Sequence, residues 1–118
     1  MPRRLPRTAR IRSSKRFNEV FAHKASAGDT RLAIHVAPIN EARPRVGIVV
    51  GVRHGTAVRR NRKKRLLREA FRLTQRDLPA GYDYVLIPRT GPAATLAEYA
   101  ISLRLLAPKA VARASVSR

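Results

Sequence analysis

Three segments of the chain have hydrophobic patterns that are typical of β-strands. These segments are 31–37, 45–53 and 82–87. In the first two, bulky aliphatic residues share one face and smaller residues occupy the other. The small residues are Ala33, Ala37, Gly47 and Gly51. We expect the bulky faces to form the core, while the bare faces leave space for a helix or a ligand against the sheet.

Three other segments carry helical signals, namely 15–24, 57–77 and a last one that ends at Pro108. Ser13 or Ser14 provides an N-cap for the first, Thr56 caps the second, and Thr95 with Glu98 forms a capping box before the third. A further short strand is possible within residues 50–54. The resulting order of elements, α-β-β-(β)-α-β-α, predicts an α+β fold. We expect a single-domain sandwich, in which a small sheet packs against helices.

The chain of 118 residues is long enough for one compact domain. That domain is predicted to span 13–107. Residues 1–12 are rich in Arg and Pro without an acid, and we expect them to form a basic flexible tail. Residues 108–118 are expected to form a second flexible tail.

The high positive charge of the chain limits the kinds of molecule that we expect it to bind. Lys and Arg total 26 against seven acids, a formal net charge of +19, and self-repulsion of that size favours a polyanionic partner. Nucleic acid is the first candidate and an anionic membrane surface the second. The absence of cysteine excludes disulfides and thiolate zinc sites. No apolar run approaches the roughly 20 residues of a membrane span, and no secretory signal is present, so we expect a cytoplasmic protein.

Most of the unbalanced charge lies in the second helix, where seven of the ten residues 59–68 are basic. On a helical wheel, the apolar residues Leu66, Leu67, Ala70, Phe71 and Leu73 fall in one arc, and Asn61, Arg65, Arg68 and Arg72 fall opposite. Arg59, Arg60 and Lys63 point elsewhere around the axis, so the first turns are expected to project beyond the core. A solvated face would normally be balanced by acids, but Glu69 is the only acid between Arg53 and Arg76. The pattern indicates a nucleic-acid contact, without choosing between RNA and DNA.

The segment 46–72 resembles the signature of the bacterial ribonuclease P protein family. The resemblance depends on the triplet Arg60-Asn61-Arg62, followed by Lys64-Arg65, Arg68 and Phe71, in a helix that comes after this strand. It extends over roughly residues 10–107. His35 departs from it, because many members have an aromatic residue there.

The resemblance implies that the chain is a subunit of a ribonucleoprotein endonuclease. In that family the RNA subunit performs the chemistry with bound Mg²⁺ and removes the 5′ leader from precursor tRNA. The implied partners are therefore the catalytic RNA subunit and precursor tRNA, with no membrane and no obligate protein partner. The residues implied to contact the catalytic RNA are Arg59, Arg60, Asn61, Arg62, Lys64, Arg65 and Arg68. The residues implied to line a cleft for the leader are Phe17, Phe21, His35 and Arg53.

The bare strand faces agree with such a cleft, because single-stranded RNA binds to aromatic platforms with basic edges. Two Phe residues four positions apart are more often core residues, so both interpretations stay open. A protein-only nuclease is disfavoured, since the seven acids and three histidines form no paired cluster and no metal-ligand spacing; we expect neither catalytic side chains nor a metal site in the protein. The alternative functions are a structural RNA-binding protein of ribosomal type, a DNA-binding protein and a membrane-surface helix.

Overall fold

The computed structural model describes residues 7–91 and 94–116. Its helices and strands, in chain order, are α1 (Ser14–Ala22), β1 (Ala25–Gly28), β2 (Leu32–Pro38), β3 (Arg45–Ile48), α2 (Ala57–Thr74), β4 (Tyr82–Pro88) and α3 (Leu96–Val116). Single 3₁₀ turns occur at Arg7–Ala9, Val52–His54 and Gln75–Asp77. The α+β sandwich with an arginine-rich central helix is confirmed.

The four strands form one mixed sheet in the order β1-β2-β4-β3. β2 pairs antiparallel with both β1 and β4, whereas β3 and β4 are parallel neighbours. Parallel neighbours need a crossover, and α2 provides it. The helix runs back across the sheet, so its N-terminus lies at the edge where β3 and β4 end, and its C-terminus lies at the edge where they begin. We call these the carboxyl edge and the amino edge of the sheet.

Different helices pack against the two faces of the sheet. Helices α2 and α3 cover the bulky face, where Leu67 and Phe71 of α2 meet Tyr99 and Leu103 of α3 in the main core. The predicted inward residues of β2, namely Leu32, Ile34 and Val36, are fully buried there. Capping fixes both helix starts, since Thr56 accepts from the Arg59 amide, and Thr95 and Glu98 exchange the two hydrogen bonds of a capping box.

Helix α1 lies against the bare face and forms a smaller core there. Ser13 caps α1 by accepting from the Arg16 amide. The Phe17 ring packs directly on Gly47, where an added Cβ would stand 2.5 Å from the ring. The bare face is therefore filled by an aromatic side chain of α1, as the lack of bulk at this position allows.

An ion cluster at the amino edge joins α1 to the sheet. Asp83 of β4 is fully buried and accepts from Arg45 Nε at 2.7 Å and Nη2 at 2.6 Å, and from Arg16 Nε at 2.7 Å. Arg16 also donates to the Pro38 carbonyl and to Glu19. The hydrogen bonds that Arg45 donates to Asp83 raise the pKa of Arg45, burial lowers it, and the net effect is a pKa above the ordinary value. The cluster was not predicted, because its members are far apart in the chain.

Two strand predictions need correction. The second strand ends at Ile48 rather than near residue 53, and Val52 is 79% exposed in a 3₁₀ turn instead of continuing the buried face. The additional strand is β1, at Ala25–Gly28, and not within 50–54. Its sequence, Ala-Ser-Ala-Gly, has little β-propensity, and it is held by pairing with β2 and by α3 packing against it.

The predicted tails also need correction where they are described. Arg10 bridges to Val46 beside β3, and both Ala9 and Ile11 are buried, so residues 9–11 belong to the domain. Residues 1–6 lie outside the described part of the chain.

At the other end, α3 does not stop at Pro108 but continues to Val116. Pro108 is on the exposed side, while Ala107, Ala110 and Ala114 pack into the core. Tertiary packing thus outweighs the roughly 3 kcal/mol cost of a proline inside a helix. Residues 117–118 lie outside the described part of the chain.

Candidate RNA-binding site

The first half of α2 presents the predicted basic surface at the carboxyl edge of the sheet. Arg59, Asn61, Arg62 and Arg65 are exposed, and Arg60, Lys64 and Arg68 are partly buried. We call these seven residues the α2 basic surface. On the inner side of the helix, Leu67, Ala70 and Phe71 are buried as predicted, whereas Leu73 is 49% exposed and lies outside the core.

The basic surface ends at Arg68, one turn earlier than the wheel suggested. Arg72 donates to Glu69 through Nε at 2.9 Å and Nη2 at 2.5 Å, which raises the pKa of Arg72 and neutralises its charge locally. Arg68 has a lowered pKa because it is partly buried and because Arg10 is close to it. The sequence interpretation placed Arg10 in a tail, and its contribution to this surface depends on the bridge to Val46.

Lys63 differs from its neighbours. It was predicted to project beyond the core, but only 4% of it is exposed, and its ammonium contacts His54 and the Gly91 carbonyl. The first turns of α2 are therefore not basic on every side. One lysine faces inward at the carboxyl edge.

Three of the four residues predicted to line a leader cleft lie close together, whereas the cleft itself stays a prediction. Phe17 and Phe21 of α1 and His35 of β2 come together on the same side of the sheet. The Phe21 and His35 rings meet edge to face, with centroids 5.0 Å apart. Burial lowers the pKa of His35, and within the described residues its buried Nδ1 has no hydrogen-bond partner. Arg53 is exposed in the turn between β3 and α2.

The described residues include no group of three or more His, Asp or Glu that could hold a metal ion. The carboxylates are used elsewhere: Asp83 and Glu69 pair with arginines, and Asp29 accepts from the amides of Arg31 and Leu32. Within the same part of the chain, no helix is both long and apolar enough to cross a membrane.

An α+β fold with an exposed basic helix beside a sheet is the arrangement expected of a small RNA-binding protein. Comparisons with known proteins agree. The family model for ribonuclease P matches residues 5–118. The chain is 39% identical to the ribonuclease P protein component of Brevibacillus brevis, over 78% of this chain and 74% of that protein. It is 41% identical to that of Edwardsiella ictaluri, over 73% and 72% of the two chains.

A solved structure is also similar. The ribonuclease P protein of Staphylococcus aureus superposes with a TM-score of 0.72 at 26% identity, covering 93% of this chain and 98% of that one. The chain belongs to the bacterial ribonuclease P protein family. Its role is that of an RNA-binding component in an endoribonuclease holoenzyme, and the ribosomal-type alternative is not favoured.

Proposed function

We propose that this protein binds the catalytic RNA of ribonuclease P through the α2 basic surface and binds the 5′ leader of precursor tRNA in the cleft beside α1. In this proposal the holoenzyme removes the leader and leaves the mature 5′ end of the tRNA. The protein acts in the cytoplasm and needs no second protein. The observation that carries the proposal is the α2 basic surface itself, which combines exposed arginines with a helix N-terminus, whose free amides and partial positive charge favour phosphate.

The charge balance explains why this surface needs a polyanion. Between Arg53 and Arg76 the only acid is Glu69, and Arg72 occupies it. The mutual repulsion of the residues in the α2 basic surface is relieved when phosphates replace water around them. Arg60, Arg62 and Arg65 also have the planar guanidinium that binds a phosphate through two parallel hydrogen bonds.

The cleft has features that suit a single-stranded leader. Phe21 and His35 form an aromatic step next to Phe17, and such steps stack on bases without strong sequence preference. Phe17 contributes one side of its ring to Gly47, so only its other parts remain for the leader.

The chemistry is assigned to the RNA. Mg²⁺, held mainly by the RNA subunit, would supply the activation of water and the stabilisation of the leaving group there. This assignment is supported by the roles of the protein's carboxylates, which pair with arginines or cap loops. The protein's own part is to hold the RNA and the leader in place and to offset the repulsion between their phosphates.

The test is cleavage of precursor tRNA at low Mg²⁺ by a bacterial ribonuclease P RNA, with and without this protein. A variant with Arg60, Arg62, Arg65 and Arg68 changed to Ala is compared with the wild type. We expect the wild type to stimulate correct 5′ maturation and the variant to fail. We call the slope of log affinity for RNA against log salt concentration the salt slope. In the variant, the magnitude of the salt slope should fall by about four, one for each lost phosphate contact.

The contrary result is tight RNA binding by the wild type without any stimulation of cleavage. In that case the surface would be a general RNA-binding surface, and the proposed role in leader removal would be wrong.

A further inference from the structure

Lys63 is a buried cation in the most basic helix of the protein. Only 4% of it is exposed, while Arg62 before it is exposed and Lys64 after it is partly so. Burying an ammonium group is strongly unfavourable unless hydrogen-bond acceptors compensate for the lost water. A lysine whose only purpose was to bind phosphate would remain at the surface, so the position of Lys63 calls for a different role.

Its acceptors come from two separate segments. The ammonium lies 2.7 Å from His54 Nδ1, in the turn that leads into α2, and donates to the Gly91 carbonyl at 3.2 Å, in the loop after β4. The lysine must donate to the ring, so His54 Nδ1 is unprotonated in this arrangement. Lys63 therefore ties the N-terminal part of α2 to both loops at the carboxyl edge of the sheet.

The turn held in this way carries a predicted substrate contact. Arg53 directly precedes His54, and the chain then passes through Gly55, at a φ of +103°, to the Thr56 cap of α2. We propose that Lys63 does not bind RNA but is a positioning residue, which fixes the His54 turn and so places Arg53 and the start of α2 relative to each other. The role of Arg53 in this inference rests on the proposed function, whereas the contact between Lys63 and His54 does not.

The contact also makes the turn sensitive to pH. Burial, and then the charge of Lys63 on α2, lower the pKa of His54, while the backbone of Pro88 on β4 acts in the opposite direction. Burial lowers the pKa of Lys63 as well. The pKa of His54 is lower in the folded protein than in the unfolded chain. Neutral His54 therefore stabilises the fold fully at any pH above its ordinary pKa, and this contribution is lost as the pH falls through the lowered pKa of the folded state. Protonation of Nδ1 removes the acceptor and places two cations side by side.

The first experiment follows the three histidine rings of the free protein by NMR during a pH titration. In Lys63→Met, which keeps an apolar stem of similar length, we expect the pKa of His54 to rise, while His23 and His35 serve as internal references. An identical His54 titration in wild type and variant would overturn the contact. This experiment contains no RNA, so its outcome does not depend on the proposed function.

The second experiment measures the salt dependence of affinity for a bacterial ribonuclease P RNA. Lys64→Met is the matched control, because it removes the same charge one residue away. We expect Lys64→Met to reduce the salt slope by about one, and Lys63→Met to leave the slope unchanged. An equal reduction in both variants would make Lys63 an RNA contact and overturn the proposal.

The third experiment measures, in the reconstituted holoenzyme, the ratio of affinities for precursor tRNA with a leader and for mature tRNA. We expect this ratio to fall several-fold for the wild type as the pH is lowered from 8 through the pKa of His54 that the NMR titration gives. In His54→Asn it should stay flat and high, because the amide oxygen can accept from Lys63 but does not titrate. A wild-type ratio that is independent of pH would overturn the positioning role. Failure of the proposed function would appear differently, as no preference for the leader at any pH.

Discussion

The two edges of the sheet are both rich in arginine, yet they use it in opposite ways. At the amino edge, Arg16 and Arg45 surround the buried carboxylate of Asp83, and the nearby donors are directed at protein acceptors. At the carboxyl edge, the α2 basic surface is exposed, and the nearest acid on the helix, Glu69, is occupied by Arg72. The comparison teaches that the number of arginines does not reveal their role; the presence of a buried acceptor does.

The difference has an energetic reason. A guanidinium that satisfies a buried carboxylate cannot be removed without leaving an uncompensated charge in the interior, so the amino edge should control stability. An exposed guanidinium is well hydrated and contributes little to folding, so the carboxyl edge should control affinity for RNA. The following predictions separate these two roles.

The largest effect is expected for Asp83→Ala. Two arginines would then lose their shared buried acceptor, and we expect the free energy of unfolding to fall by about 3–5 kcal/mol. Urea denaturation followed by circular dichroism measures this. A loss of less than about 1 kcal/mol would mean that water replaces the carboxylate. The claim that the amino edge controls stability would then be wrong.

A matched pair of substitutions tests the comparison directly. Arg45→Ala should cost about 2–4 kcal/mol of stability and leave the salt slope of RNA binding unchanged. Arg65→Ala should change stability by no more than about 0.5 kcal/mol and reduce the salt slope by about one. Denaturation and RNA titration are needed on both variants, and any result in which the two variants behave alike contradicts the assignment.

The cleft is an intermediate case, because Phe17 is packed like a core residue but is proposed to bind. Gly47→Ala would place a methyl group 2.5 Å from the Phe17 ring and force the ring to move. We expect a loss of about 1–3 kcal/mol in stability and a weaker preference for precursor tRNA. Gly51→Ala is the control, since nothing lies within 4 Å of its added Cβ. If Gly47→Ala reduces stability but not the leader preference, Phe17 belongs to the core alone.

The smallest effect is expected for Glu69→Gln. This change removes the negative charge and one of the two oxygens that accept from Arg72, so the charge of Arg72 is no longer neutralised and the α2 basic surface should extend by one turn. We expect the salt slope of RNA binding to increase by up to about one, with stability lowered by less than about 1 kcal/mol. An unchanged slope would show that RNA does not reach this turn of the helix.

Several features follow from the sequence because they depend on neighbouring residues. The caps at Ser13, Thr56 and Thr95, the alternation in β2 and the basic face of α2 all involve spacings of two to four positions. The family resemblance was local in the same sense, since it depended on one strand and the helix after it. These features were enough to predict the fold class and the family.

The errors share a physical cause, which is packing between distant segments. The Ala-Ser-Ala-Gly segment becomes strand β1 only because β2 and α3 lie beside it, and α3 continues past Pro108 because its alanines are buried. Local propensity disfavours both outcomes and is overridden by burial.

The roles of individual charges were decided by tertiary structure alone. The sequence gives no sign that three distant charged residues, Arg16, Arg45 and Asp83, interact. It also does not distinguish Lys63 from the other basic residues around it. Folding brings the first three together at the amino edge and turns Lys63 toward His54 at the carboxyl edge. The sequence determined that the chain would bind a polyanion and where its basic helix would lie. Only the fold decided which cations remain exposed and which bind acceptors within the protein, because those acceptors come from segments that are distant in the chain.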